Sequence, residues 1–383
     1  MRACEDGVAS AQKHFDQIDG VYMKPRTKRL LNLVLIVAPI LIILVIGFSD
    51  PDLGSAIEAL SHLGLRWVLL SILAYLGFVG MDAASIHYFL RKQGYRLSFG
   101  YIYYVSVLGQ YYSNITPGAT GGQPMQIYYL HKQGIPTGIA TSALVVRFIS
   151  FQAMLSIIGT VLWIAYGPFV AENLEGAKWL LIVGYVYNTL MVTLLIAVVF
   201  CRPVIQWGIG LAVRIGTKLR LLKKPEESKA RWLQAAQTFH DSVHLIVKKP
   251  LQVLVQLLFG GLQLMLLMSV IWFVYCGLGL KGATYGQLTT LSVMEYLSAA
   301  YAPMPGASGA QEGVFSLYFS HVFPDGVRFA ALLLWRFFTY YFSLLVGGLV
   351  VLAVGLRSGK SLKEIRGEET QRIEQVIEPT DRH

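Results

Sequence analysis

The sequence predicts an all-α polytopic membrane protein made of two inverted-topology halves, each with three spanning helices and a re-entrant helical hairpin. Three observations lead there: an apolar composition, long runs without charge, and a short motif that occurs twice. Of 383 residues, 55% are hydrophobic and 14% charged, against about 45–50% and about 25% in an average soluble domain. That balance argues against a water-soluble enzyme. The formal charge is +10, and with a mean hydropathy of +0.53 the basic excess belongs on loops beside a bilayer, so no nucleic-acid partner is expected. Cys4, Cys201 and Cys276 supply neither a disulfide framework nor a metal cluster, and no cofactor is expected.

A helix needs about 20 mostly apolar residues to cross the hydrocarbon. Residues 1–29 are a polar N-terminal segment ending in Lys24, Arg26, Lys28 and Arg29, which the positive-inside rule places in the cytoplasm. The first half, residues 30–166, begins with the span Leu30 to Phe48. Ser49-Asp50-Pro51 follows it without a small-residue cleavage site, so this span is expected to remain as an anchor. Trp67 to Leu90 and Thr141 to Tyr166 complete the spans of this half. Asp50, Asp52 and Glu58 fall outside; Arg91, Lys92 and Arg96 fall inside.

The second half, residues 167–356, holds the spans Trp179 to Phe200, Leu251 to Cys276 and Phe329 to Leu356. An external loop with Glu172 and Glu175 precedes them. The insert 202–249 carries ten basic residues against three acidic ones and is placed in the cytoplasm. Within it Trp232, Ala236, Phe239, Val243 and Ile246 recur at steps of four and three. That is the stripe of an amphipathic helix, expected to lie on the inner membrane surface; a partner-protein groove is the rival reading. The tail, residues 357–383, balances six basic and six acidic residues. Both termini are expected on the cytoplasmic side of a bacterial inner membrane.

Two stretches, 99–133 and 286–323, must each return to the side they entered, or the charge alternation fails. Both are therefore read as re-entrant hairpins, with one broken crossing each as the alternative. Irregular backbone at such depth is tolerated only where protein or water covers it. Inside the first stands Pro117-Gly-Ala-Thr-Gly-Gly-Gln123, and inside the second its near-copy Pro305-Gly-Ala-Ser-Gly-Ala-Gln311, which differs only by Thr to Ser and Gly to Ala. An arginine follows each glutamine in an apolar stretch, Arg147 in the first copy and Arg336 in the second, at nearly the same offset. Copies that face opposite ways carry the inverted-repeat signature of transporters, whose sites sit near the midplane between discontinuous helices.

The motif has a physical reading. Pro117-Gly118 and Pro305-Gly306 end the incoming helix, since proline lacks an N–H and glycine accepts positive φ. Thr120 with Gln123, and Ser308 with Gln311, match the spacing of capping boxes that open a new helix. Its first N–H groups, around Gly121, Gly122 and Gly309, would offer an anion cradle. For Arg147 and Arg336 two readings stand: an ion pair with Asp82, Glu295 or Glu312, or a bidentate grip on a lipid phosphate. Glu312, in the first turn of its helix, suits a structural role. Glu295 and Asp82 read as counter-ions or coupling carboxylates, and Asn114 as a headgroup or packing contact. His240 and His244 stand four apart without a third ligand, so no metal is expected.

The run Gly109 to Gln123, with Asn114 and Arg147, and the second motif through Glu312-Gly313 together resemble the transmembrane region of lysylphosphatidylglycerol synthases. This is a flippase-like family that forms the membrane half of the multiple peptide resistance factor. The resemblance covers about Leu30 to Leu356 and implies movement of a phosphate-headgroup lipid between leaflets: phosphatidylglycerol, its lysyl ester or a polyprenyl phosphate. It also carries the label phosphatidylglycerol lysyltransferase, an enzyme of resistance to cationic antimicrobial peptides. Only the short tail 357–383 follows Leu356, so the soluble aminoacyl-transferring domain is expected to be absent and a transporter is favoured over an enzyme. A small-solute or ion transporter is the remaining alternative. Anionic lipids are the expected partners; a separate lipid-modifying enzyme and a homo-oligomer are compatible with this reading.

Overall fold

A computed structural model describes residues 63–218 and 225–357. The described residues form helices and no strand, and five of the helices are long and apolar enough to cross a membrane. The predicted span Leu30–Phe48, the N-terminal segment and the tail from residue 358 lie outside the described residues.

Helix α1, Leu65–Lys92, covers the predicted span Trp67–Leu90. Its buried residues include Phe78, Asp82, Ser85 and Phe89, at steps of three or four, while Leu65, Leu69 and Leu73 face outward. Arg91 and Lys92 in its last turn complement the negative end of the helix dipole. The stretch 99–133 then forms α2, Phe99–Ile115, a 3-10 turn, Pro117–Ala119, and α3, Gly122–Lys132. Next come α4, Thr137–Ala165, a short α5, Gly167–Asn173, where a loop was expected, and α6, Lys178–Phe200.

The insert forms two helices rather than one, α7, Arg202–Lys218, and α8, Pro225–Val247. The predicted stripe is present on α8, and its C-terminal residues pack on the protein. Val243 and Ile246 are buried, Ile246 within a core cluster that includes Leu130 and Ile139. Ser142 donates to the Phe239 carbonyl at 3.1 Å, and Gln93 to the Ser242 carbonyl at 2.8 Å. Periodicity identifies an apolar face and cannot say what covers it; here α4 offers a matching surface.

Helix α9, Pro250–Gly277, leads to α10, Tyr285–Ala299, a second 3-10 turn, Pro305–Ala307, and α11, Ala310–Tyr318. The predicted last span is α12, Asp325–Arg336, and α13, Phe342–Arg357, joined through a π-turn at Phe337–Tyr341. The π-turn follows Arg336 directly, and such bulges concentrate at functional positions.

Helix α9 is the central staff, packed against both α1 and α4. A Cβ at Gly260 would lie 2.8 Å from the Ser150 backbone. Such small-residue contacts let membrane helices touch backbone to backbone, where lipid supplies no hydrophobic drive. On the other flank α13 packs on α2. These contacts bring the two Pro-Gly-Ala turns against each other.

Candidate functional site

The two motifs share one backbone shape through Pro-Gly-Ala and then diverge: ψ is -21° at Thr120 but 141° at Ser308, and φ is -80° at Gly121 but 87° at Gly309. Gly118 and Gly306 adopt φ of 59° and 58°, and the alanines after them, Ala119 and Ala307, follow at 56° and 50°. Glycine enters this left-handed region freely. An L-residue pays about 1–2 kcal/mol there, so two alanines in it must be held by their surroundings.

How each new helix begins differs from the sequence expectation. Thr120 does not cap α3: its hydroxyl turns back to the Pro117 carbonyl at 3.1 Å. The hydroxyl of Thr116 instead accepts from the Gly121 N–H at 2.8 Å. Ser308 likewise turns back to the Pro305 carbonyl at 2.9 Å, and Glu312 receives the Gly309 N–H at 2.6 Å. Each helix starts one position later than the spacing implied, so the hydroxyls sit in the preceding turn. The capping box of the second hairpin stands at its entrance, between Thr284 and Gln287. Because Glu312 occupies the start of α11, that helix end is already supplied with an anion.

Both arginines are paired, each in its own way. Arg336 is buried and folds into its own motif. Its Nε donates to Glu312 at 2.6 Å, Nη1 to Gln311, and Nη2 to the Gly306 carbonyl at 3.1 Å, with Ser308 Oγ at 3.4 Å. Tyr340 lies under the guanidinium, 5.0 Å from ring centroid to Cζ. Arg336 is thus a clasp that ties α12 to the second turn. Arg147 does not reach the first motif. It pairs with Asp82 of α1, whose Oδ1 also accepts from Gln263 of α9 at 3.2 Å. Its Nε has no partner, and neither does Asp82 Oδ2. The sequence explains the difference in register: the residue after Gln311 is Glu312, whereas the residue after Gln123 is Pro124. Without that acid the first motif has nothing to draw the guanidinium in.

Between the motifs lies a cavity of about 500 Å³, within the range that holds small ligands and headgroups. Gly118, Ala119, Asn114 and Gln123 reach it from the first hairpin; Gly306, Ala307 and Gln311 from the second. Arg147, Glu295 and the cavity edge of Arg336 add ionisable groups. Of the other predicted residues, Gly121 and Gly122 are buried, with Gly122 close to Ser113 and the Gly109 carbonyl. Thr120, Pro117, Ser308, Gly309, Pro305, Asp82 and Glu312 are outside the lining set.

Sequence reasoning passed over a layer of amides. Gln126, Gln152 and Gln263 all line the cavity. Gln152 donates to Asn188 at 3.0 Å and to Tyr301 Oη at 2.6 Å, which joins α4, α6 and the segment after α10. The signal was present, since amides inside otherwise apolar spans are costly unless partnered or functional. Among the described residues no three His, Cys, Asp or Glu side chains are grouped to hold a metal; His240 instead bonds the Val199 carbonyl at 3.1 Å and stacks on His244.

The family model described as the lysylphosphatidylglycerol synthase TM region matches residues 30–347. The chain belongs to that family. It is also similar to a UPF0104 membrane protein of Methanocaldococcus jannaschii, 22% identical over 335 residues, covering 84% of this chain and 94% of that protein. A second UPF0104 membrane protein, from Pyrococcus horikoshii, is 21% identical over 328 residues, covering 84% of this chain and 96% of its own length. The chain is therefore a membrane protein whose relatives include archaeal proteins, and the bacterial setting expected above is too narrow for the family as a whole.

Proposed function

We propose that this protein moves a lipid with an anionic phosphate headgroup between the leaflets of a membrane, with Arg147 as the residue that receives the phosphate. The carrying observation is the contrast between the two arginines. Arg336 is enclosed by four acceptors, whereas Arg147 lines the cavity, keeps 12% of its side chain exposed and has Asp82 as its ion-pair partner. A guanidinium binds phosphate bidentately, and Asp82 holds this one in place without using all of its donors.

Gln123, Asn114 and the neighbouring amides supply donors and acceptors for the rest of a headgroup. In this reading the segments 99–133 and 286–323 are re-entrant hairpins of oppositely oriented halves, and their meeting tips mark the midplane where such transporters bind substrate. The basic face of the insert then lies on the cytoplasmic side, as do both termini. Family membership supports a lipid as cargo and leaves its headgroup open, so the chemistry is stated as phosphate-bearing and anionic.

The test is lipid movement in proteoliposomes, with fluorescent phosphatidylglycerol as probe and external reductant as the leaflet reporter. Wild-type protein accelerates exchange; Arg147→Ala and Arg147→Lys reduce it at least about tenfold, because lysine lacks the planar fork. Exchange at the wild-type rate in both variants refutes the assignment.

A further inference from the structure

The charges around the cavity do not balance. Among the described residues two guanidiniums, Arg147 and Arg336, stand in the interior with three carboxyls, Asp82, Glu295 and Glu312. Asp82 belongs to Arg147 and Glu312 to Arg336. Glu295 is left over. It lies on α10, is 1% exposed, and lines the cavity. Its Oε1 is buried without a hydrogen-bond partner. A structural carboxylate at such depth is expected to have its acceptor sites filled, as both oxygens of Glu312 are.

The groups that face Glu295 leave it no partner of its own. Arg336 and Glu312, from α12 and α11, act on it electrostatically, and they are already bonded to each other. Tyr318 of α11, whose hydroxyl is engaged with Ser298 at 2.8 Å, and Tyr296 of its own helix bring titratable hydroxyls. Helix α4 brings Arg147, committed to Asp82; α9 brings Gln263 and α6 brings Tyr187 to the lining. No residue of α5 lines the cavity.

We propose that Glu295 is a proton-binding site coupled to the cavity: it takes one proton from water when an anionic phosphate headgroup enters, and returns it when the headgroup leaves. The inference rests on the headgroup reading above. Charge conservation is its reason. With Glu295 ionised the empty site carries one net negative charge and repels a second anion in a low-dielectric setting. A proton on Glu295 removes that charge, so one O–H bond forms as the phosphate settles beside Arg147. No other bond changes. Anion and proton thus travel together, and a pH difference across the membrane gives the movement a direction.

The experiment uses the full chain in detergent with short-chain phosphatidylglycerol as the probe. Calorimetry in two buffers of unequal ionisation enthalpy counts the protons. Over the pH range where the empty site is ionised, wild-type protein takes up about one proton per lipid bound and its affinity falls about tenfold per pH unit. Glu295→Gln binds with no proton uptake and a flat pH profile; Glu295→Met, of similar volume and without an ionisable group, replaces it if glutamine disturbs folding. No proton uptake by wild type at any pH where it binds the lipid, or equal uptake by the variants, overturns the proposal. Failure of wild type to bind the lipid at any pH refutes the headgroup reading instead. Infrared spectroscopy of the lipid-free protein then decides Glu295 separately: a carboxyl band that titrates and is lost in Glu295→Gln supports a proton site, and its absence overturns one.

Discussion

Arg147→Gln leaves Asp82 charged and fully buried, with only Gln263 at 3.2 Å to satisfy it. Breaking one side of a buried ion pair costs about 3–5 kcal/mol, a shift of roughly a hundred- to several-thousand-fold in the folding equilibrium. Because the Arg147 side chain keeps 12% exposure on the cavity, the lower end of that range is expected. Asp82→Asn strands the arginine and costs a similar amount. The double variant removes both charges while keeping polar side chains of similar shape. It should therefore be more stable than either single one, with a coupling energy of about 2–3 kcal/mol. Equilibrium unfolding in mixed detergent micelles measures all three. Additive losses, within about 0.5 kcal/mol, would refute the pairing as an energetic unit. Lipid movement provides the second readout: the double variant regains stability but not transport, since the phosphate-binding guanidinium is gone. Recovery of both would reduce Arg147 to a purely structural role.

The matched turns make a contrasting prediction. Gly118→Ala and Gly306→Ala both place an L-residue at positive φ, at about 1–2 kcal/mol. A Cβ at Gly306 would also overlap the Tyr340 ring, whereas one at Gly118 meets only Thr120 at 3.9 Å. Gly306→Ala should therefore unfold more readily by about a further 1–3 kcal/mol. Equal thermal shifts in the two variants would contradict that packing. Glu312→Gln keeps the volume but leaves Arg336 buried without its carboxylate and weakens the bond to the Gly309 N–H. A loss of about 3–5 kcal/mol is expected in the same unfolding assay. For the insert, Ile246→Ala should cost about 2–5 kcal/mol and speed proteolysis within 225–247, because Ile246 is 1% exposed against the core; unchanged cleavage would show that α8 is held by something other than its stripe.

Much of this architecture was legible in the sequence because a bilayer imposes simple rules. Uncharged runs of sufficient length marked the spans that α1, α4, α6 and α9 occupy, with ends displaced by about one turn of helix at most. The repeated Pro-Gly-Ala marked two backbone breaks whose dihedral angles agree within a few degrees. The arginines were recognisable as interior charges that need partners, and Asp82 and Glu312 were among the acids available to them. These features depend on local chemistry or on the exclusion of water, both of which a single chain of residues records.

The partnerships themselves required the tertiary structure. Arg147 and Asp82 lie on different helices, distant in sequence, and come together because α9 packs against both α1 and α4. Sequence symmetry suggested equivalent arginines, but one acid in the second motif, with proline in its place in the first, folds Arg336 inward and leaves Arg147 on the cavity. Likewise the stripe on α8 announced an apolar face, and only the packing decided that Ile246 at its end joins the core with Leu130 and Ile139. Periodicity and composition determine which surfaces and charges must be satisfied; the choice among several chemically acceptable partners depends on distances that exist only once the helices have packed.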